Sequence, residues 1–174
     1  LYQLFAGKVT GSRMDLETYV QRYYLERILT AANRRFLEMS AGQFELRLVD
    51  LENAGDGRNR GLDLMVYSYV TGKAREVRTL SGGESFLAAL SLALGMADQI
   101  QAATAAIHLD VMFIDEGFGS LSDNARNEAV NILKEMAGKQ RQIGIISHVS
   151  ELKDEIENQL IVKKDDRGSH ISWR

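Results

Sequence analysis

The sequence predicts an α/β fold in which a long opening helix leads into antiparallel strands and then into a parallel sheet flanked by helices. Three observations predict it. Apolar residues first recur at three- and four-residue steps, then alternate singly with polar ones, and finally fall into short runs separated by helical stretches.

The helical spacing runs from Met14 to Met39, where Leu25, Ile28, Leu29, Ala32, Phe36 and Met39 line one face, and Leu16, Tyr19, Val20, Tyr23 and Tyr24 extend it backwards. A helix of some 25 residues reaches about 40 Å, a length suited to an element that enters a domain from outside. Gly42 is placed to end it as a cap glycine. Phe44, Leu46 and Leu48 then alternate with Glu45 and Arg47. A turn-rich stretch from Asn53 to Gly61 leads into Leu62, Leu64 and Val66, which predicts an antiparallel hairpin. Thr71-Gly72-Lys73 is a second turn, followed by a short strand through Val77.

Beyond it the pattern predicts a helix over 84–103, a buried apolar strand from Val111 to Ile114, a helix over 123–137 with Ala129, Ile132, Leu133 and Met136 on one face, a strand from Ile143 to Ile146 and a short helix near 151–157. Strands alternating with helices imply a parallel sheet. Leu160 to Lys163 and His170 to Trp173, on either side of Lys164-Asp165-Asp166-Arg167-Gly168, predict a closing hairpin.

Composition bounds the function. The 174 residues are 45% hydrophobic, enough for a real core. With 21 basic and 24 acidic side chains the net charge is -3, so bulk charge does not draw the chain to nucleic acid and any DNA contact is local or supplied by a partner. The absence of cysteine removes disulfides, thiolate metal sites and cysteine nucleophiles together. Proline is also absent, which favours uninterrupted helices and strands. No apolar run of about 18 residues and no leader pattern occurs, so a cytoplasmic protein without a membrane span is expected. A start at Leu1 rather than Met leads us to expect a fragment of something longer, with a processed start as the alternative.

Leu80-Ser81-Gly82-Gly83-Glu84 stands immediately before a helix that is apolar nearly all round. Ser81 and Glu84 have the spacing of a capping box, which by itself accounts for both. A cap does not need two glycines, however, whereas an anion approaching the free N–H groups of a helix N-terminus does. Val111-Met112-Phe113-Ile114-Asp115-Glu116 is an apolar run ending in two carboxylates, at the carboxyl end of a strand where ligands of open parallel sheets bind. One such acid is commonly just a solvated strand end. Two are what phosphoryl transfer to water uses: Asp115 to hold Mg2+ through its water shell, Glu116 to orient or deprotonate the attacking water. Gly117-Phe118-Gly119-Ser120-Leu121-Ser122 follows directly. The strand Ile143-Gly144-Ile145-Ile146 ends in Ser147-His148, and the position of His148 relative to the two acids suits a sensor of a γ-phosphate, although a histidine at a strand end is more often structural.

In this order and spacing the four segments resemble the ABC ATPase family, as its signature (Ser81, Gly82, Gly83, Glu84), Walker B strand, D-loop (with Ser120 and Ser122) and switch histidine. Asp-Glu-Gly-Phe-Gly-Ser-Leu over 115–121 is similar to the SMC-like DNA repair ATPases of the SbcC type. So are the stretches from Thr79 to Ala88 and from Ile107 to Asp110, together with Glu17-Thr18-Tyr19-Val20-Gln21, Ala32-Asn33-Arg34-Arg35-Phe36 and Met39-Ser40-Ala41-Gly42-Gln43. Two departures stand out. Ser122 occupies a D-loop position where the family commonly has aspartate, with Asp123 next. No G-x-x-x-x-G-K-[ST] phosphate loop exists, Gly7-Lys8-Val9-Thr10 being a decoy.

The resemblance explains the second departure, because such proteins are split by a coiled coil. It implies that residues 1–40 are the root of the returning coil and 41–174 the C-terminal ABC lobe. The implied cofactors are ATP and Mg2+. The implied partners are the N-terminal half of the same ATPase, a second head, an SbcD-like nuclease docked near the root, and DNA whose ends or hairpins are processed. An SMC- or cohesin-like DNA clamp without nuclease output is the alternative, and a catalytically dead dimerisation module a third, against which Glu116 argues.

Overall fold

The opening helix, α1 (Leu16–Met39), begins where the Asp15 carboxylate accepts a hydrogen bond from the Thr18 N–H at 2.7 Å, which satisfies one free amide of the first turn. The same bond holds the Asp15 carboxyl below its ordinary range. In this computed structural model, which describes residues 15–50, 61–103, 109–137 and 141–174, the helix is 24 residues long, about 36 Å. Its second half buries Leu29, Ala32, Phe36 and Met39, while Leu16, Tyr19, Val20, Tyr23 and Tyr24 stay exposed. Gly42 does help to end it, donating its N–H to Leu37 O at 2.7 Å, but the left-handed turn starts one residue earlier than expected, at Ala41 (φ 51°) before Gly42 (φ 76°).

Three short antiparallel strands follow, β1 (Phe44–Leu48), β2 (Leu64–Ser68) and β3 (Lys73–Glu76), in the spatial order β1-β2-β3. The alternation expected of β1 sets its register, with Leu46 opposite Val66 and both buried against the α1 face. Asn33 fastens helix to strand: its amide donates to Leu46 O and accepts from Leu46 N, each at 2.8 Å. Leu62 lies just outside β2, and Val77 turns away from β3 into a 3-10 turn over Val77–Thr79. The turn expected from Asn53 onwards lies outside the described residues up to 60.

α2 (Gly82–Ala103) starts two residues before the expected position and crosses α1 closely. A Cβ added at Gly95 would lie 2.8 Å from Ala32 N and Ile28 O, so the crossing admits only glycine. Among the described residues α2 is the one helix long and apolar enough to cross a membrane, yet Leu87, Leu90 and Leu94 are buried in the core with Leu29 and Phe36 of α1. Arg35 of α1 and Arg141 share Asp98 of α2, at 2.7 and 3.2 Å.

The expected parallel sheet is present as β4 (Val111–Asp115) beside β5 (Gln142–Ile146), with α3 (Asp123–Ala137) between them in sequence. α3 buries Ala129, Val130, Ile132 and Leu133, whereas Met136, expected on that face, is only partly buried. β4 departs from the buried strand expected. Only Ile114 is buried, and Phe113 is 72% exposed, because alternate residues of β4 face away from the helices and no described element lies over them. A Cβ at Gly144, the cross-strand partner of Phe113, would meet the Phe113 ring at 2.6 Å. α4 (Leu152–Glu155) is shorter than expected. The closing hairpin, β6 (Leu160–Asp165) and β7 (Gly168–Trp173), is longer, and its Leu160, Val162, Ile171 and Trp173 share one exposed apolar face.

Candidate functional site

Three segments converge: the first turn of α2, the loop after β4 and the end of β5. At the α2 turn the capping box is complete. Ser81 N–H donates to Glu84 Oε2 at 2.8 Å and Glu84 N–H donates to Ser81 Oγ at 3.3 Å. Arg75 of β3 adds an ion pair to the same Glu84 oxygen at 3.1 Å. Partial burial pushes the Glu84 carboxyl up, but the hydrogen bonds from Ser81 and Arg75 outweigh it and hold the carboxyl below its ordinary range.

The two glycines divide their reasons. A Cβ at Gly83 would lie 2.7 Å from the backbone oxygen of Ser120, so packing within the chain already demands glycine there. A Cβ at Gly82 would meet Ser120 Cβ at an ordinary 3.7 Å. Gly82 is therefore the glycine that packing among the described residues does not require, and it sits exposed at the N-terminus of a 22-residue helix.

At the end of β4 the backbone turns sharply. Glu116 takes φ 60° and Gly117 φ 96°, two successive left-handed residues. The first costs a non-glycine residue of order 1–2 kcal/mol. The turn is anchored by Glu116 N–H donating to Ile146 O at 2.8 Å, which brings the carboxylate to the end of β5. There the Glu116 carboxylate meets His148 Nδ1 at 2.9 Å, with 51% and 81% of the two side chains exposed. Such a contact places the proton on Nδ1 when the carboxylate is ionised and leaves Nε2 free. Asp115 is exposed at the strand terminus beside them.

No group of three or more His, Asp or Glu able to hold a metal occurs among the described residues. An exposed carboxylate at a strand end, as Asp115 is, fits Mg2+, which keeps its waters and is bound through one or two carboxylates together with phosphate oxygens.

The loop from Gly117 to Ser122 is held from within. Ser120 Oγ donates to Gly117 O at 2.8 Å, Phe118 is fully buried and edge-on to Phe86 of α2, and Ser122 Oγ accepts the Ala125 N–H at 3.4 Å as the cap of α3. All the residues singled out in the sequence thus lie on these three converging segments. Ser81 and Glu84 are engaged with each other, Ser120 and Ser122 with their own backbone, and Glu116 with His148. Sequence reasoning missed Arg75, a strand residue whose partner lies nine positions on, and Phe86, which reads as one more apolar residue of a core helix.

A family model described as SbcC/RAD50-like, Walker B motif, matches residues 61–135. The SbcC subunit of the SbcCD nuclease from Vibrio cholerae is 46% identical over 166 residues, which is 95% of this chain and 16% of that protein. Its counterpart from Treponema pallidum is 42% identical over 94% of the chain and likewise 16% of its own length. The chain thus spans about a sixth of the relatives it matches. A solved chain from structural work on ATP-driven dimerization and DNA-stimulated activation of SMC ATPases has a TM-score of 0.67 at 22% identity, covering 90% of this chain and 89% of that one. The Smc head of Pyrococcus furiosus with an extended coiled coil, bound to the C-terminal domain of ScpA, scores 0.64 at 22% identity and covers 91% of this chain and 37% of that one.

Proposed function

This chain belongs to the SbcC-type, SMC-like ATPases, and from that premise we propose that it is the C-terminal part of an ATP-hydrolysing head, completed by an N-terminal part that brings the phosphate-binding loop. Residues 1–40 are then assigned to the root of a coiled coil, 1–14 lying outside the described residues, and 41–174 to the lobe that carries the chemistry. The observation that carries the reading is the Glu116 carboxylate, turned off the end of β4 to within 2.9 Å of His148 Nδ1.

Glu116 takes a proton from the attacking water, and His148, already in contact with that carboxylate, orients it and senses the γ-phosphate. Asp115 is the residue that would hold Mg2+. The metal, when bound, neutralises charge on the phosphate oxygens. Gly82 and Gly83 present the free amides of α2, with the small Ser81 side chain beside them, to the γ-phosphate of a nucleotide held by a second head, so ATP joins two copies. Glu84 keeps that turn in shape. Ser120 and Ser122 lie on the loop that faces the same seam. The names of the relatives support a partner nuclease of the SbcD kind, and with it the processing of DNA ends or hairpins in the cytoplasm.

The likeness to Smc heads supports a second reading, a DNA clamp with no nuclease output. Identities of 46% and 42% to the SbcC relatives, against 22% to the Smc heads, favour the first.

The 174-residue chain alone is expected to hydrolyse no ATP and to gain magnesium-dependent turnover when mixed with the N-terminal part, because the lysine and loop amides that grip the β- and γ-phosphates are missing. Robust turnover by the purified chain alone would overturn the split-head reading. Copurification of a metallophosphoesterase with the full-length protein separates the nuclease reading from the clamp.

A further inference from the structure

The left-handed turn at Glu116-Gly117 is pressed from two sides. On one side Glu116 N–H is bound to Ile146 O. On the other lies the ring of Phe86, so close that a Cβ added at Gly117 would stand 2.2 Å from both Cδ2 and Cε2 of that ring. The ring also packs edge-on against Phe118, centroid to centroid 5.0 Å, and Phe118 is fully buried. Phe86 sits on the second turn of α2, directly behind Gly83, whose backbone rests against Ser120 O of the same loop. The first two turns of α2 and the loop from Glu116 to Leu121 are therefore one packed body. A carboxylate on a backbone that a non-glycine residue rarely adopts keeps its aim only while the surroundings over-determine that backbone.

We propose that Phe86 is a positioning residue for Glu116: its ring wedges Gly117 in the left-handed turn that aims the Glu116 carboxylate at His148 and the attacking water. A phosphate engaging the N-terminus of α2 then presses on the same body that sets the aim of the hydrolytic base. The proposal rests on the reading of Glu116 as that base.

The test uses the full-length ATPase, with rates normalised to nucleotide-binding stoichiometry. Phe86→Leu, which keeps an apolar side chain but loses the ring, is expected to lower kcat about tenfold or more while KM for ATP stays within about twofold, since aim is lost and binding is not. Gly117→Ala is expected to lower kcat more steeply beside Phe86 than in the Phe86→Leu background, because part of its effect is the collision with the ring. Wild-type kcat in Phe86→Leu, or an equal loss from Gly117→Ala in both backgrounds, overturns the proposal. If Phe86→Leu unfolds below the assay temperature, Phe86→Met takes its place under the same two criteria. Glu116→Gln serves as the control: wild-type turnover there removes the reading of Glu116 itself, whereas a dead Glu116→Gln beside a fully active Phe86→Leu removes only the role of Phe86.

Discussion

At the first turn of α2, Glu84 is tied to the Ser81 N–H and to Arg75, and Ser81 returns a bond to Glu84. At the ends of β4 and β5, by contrast, Glu116 and His148 meet each other and otherwise stand largely in solvent, on a turn whose left-handed backbone opposes the fold's convenience. The α2 turn pairs groups the helix would want paired in any protein, so its residue types alone do not single out a function. Folding gains little from two exposed groups on a left-handed turn, so that region speaks for chemistry. The glycine pair shows the same division one residue at a time, Gly83 being demanded by Ser120 and Gly82 by nothing within the described residues.

The sharpest way to break this contrast is Glu116→Gln in the completed head. Hydrolysis is expected to fall by about a hundredfold or more while nucleotide binding and thermal stability hold, because the amide keeps the shape but takes no proton. Turnover and nucleotide titration on the same preparation check it, and wild-type turnover would remove Glu116 from the mechanism.

Next in size is Ser81→Arg, which puts a long side chain at the seam where a second head is proposed to close. ATP-driven dimerisation is expected to disappear on sizing chromatography in a Glu116→Gln background, with ATP binding by the single head spared. The lost cap costs only about 1 kcal/mol, so the fold survives. A variant that still dimerises shows that the α2 turn is the purely structural region its hydrogen bonds suggest.

The smallest effect belongs to Glu84. Its folded carboxyl titrates below the unfolded value of 4.5, so its contribution to stability is full above that pH and is lost as pH falls through the folded pKa. Glu84→Gln is therefore expected to flatten the acid limb of thermal stability measured below about pH 5, leaving neutral pH little changed. An unaltered acid limb would mean that the Arg75 and Ser81 bonds do not favour the ionised form.

Much of this was legible in the sequence wherever a local pattern fixes the outcome. The three-and-four spacing placed α1, single alternation placed β1 against β2, and Ser81 with Glu84 at a separation of three announced the capping box. What stayed illegible needs a second segment in space. No periodicity says that Gly83 must clear Ser120 O, that Arg75 reaches Glu84, or that Phe86 fills the space beside Gly117. The burial of β4 misled for a related reason. An apolar run records what a strand is built to bury, whereas the 72% exposure of Phe113 records what this stretch of chain supplies by itself. The left-handed Glu116 had a single sequence hint, the glycine that follows it.

Among the described residues β1 is an outer strand of the small sheet, and the amide of Asn33 acts on its margin. A strand at such a margin is a template on which another chain can be laid, each free N–H and C=O being one rung. β1 is five residues long, and Leu46 is its middle residue. With both Leu46 rungs taken by Asn33, an incoming strand finds its ladder interrupted at the centre, with too few rungs on either side to fix a register. Proteins often blunt such margins with proline, of which this chain has none. Here one uncharged side chain from a neighbouring helix occupies the central rungs instead.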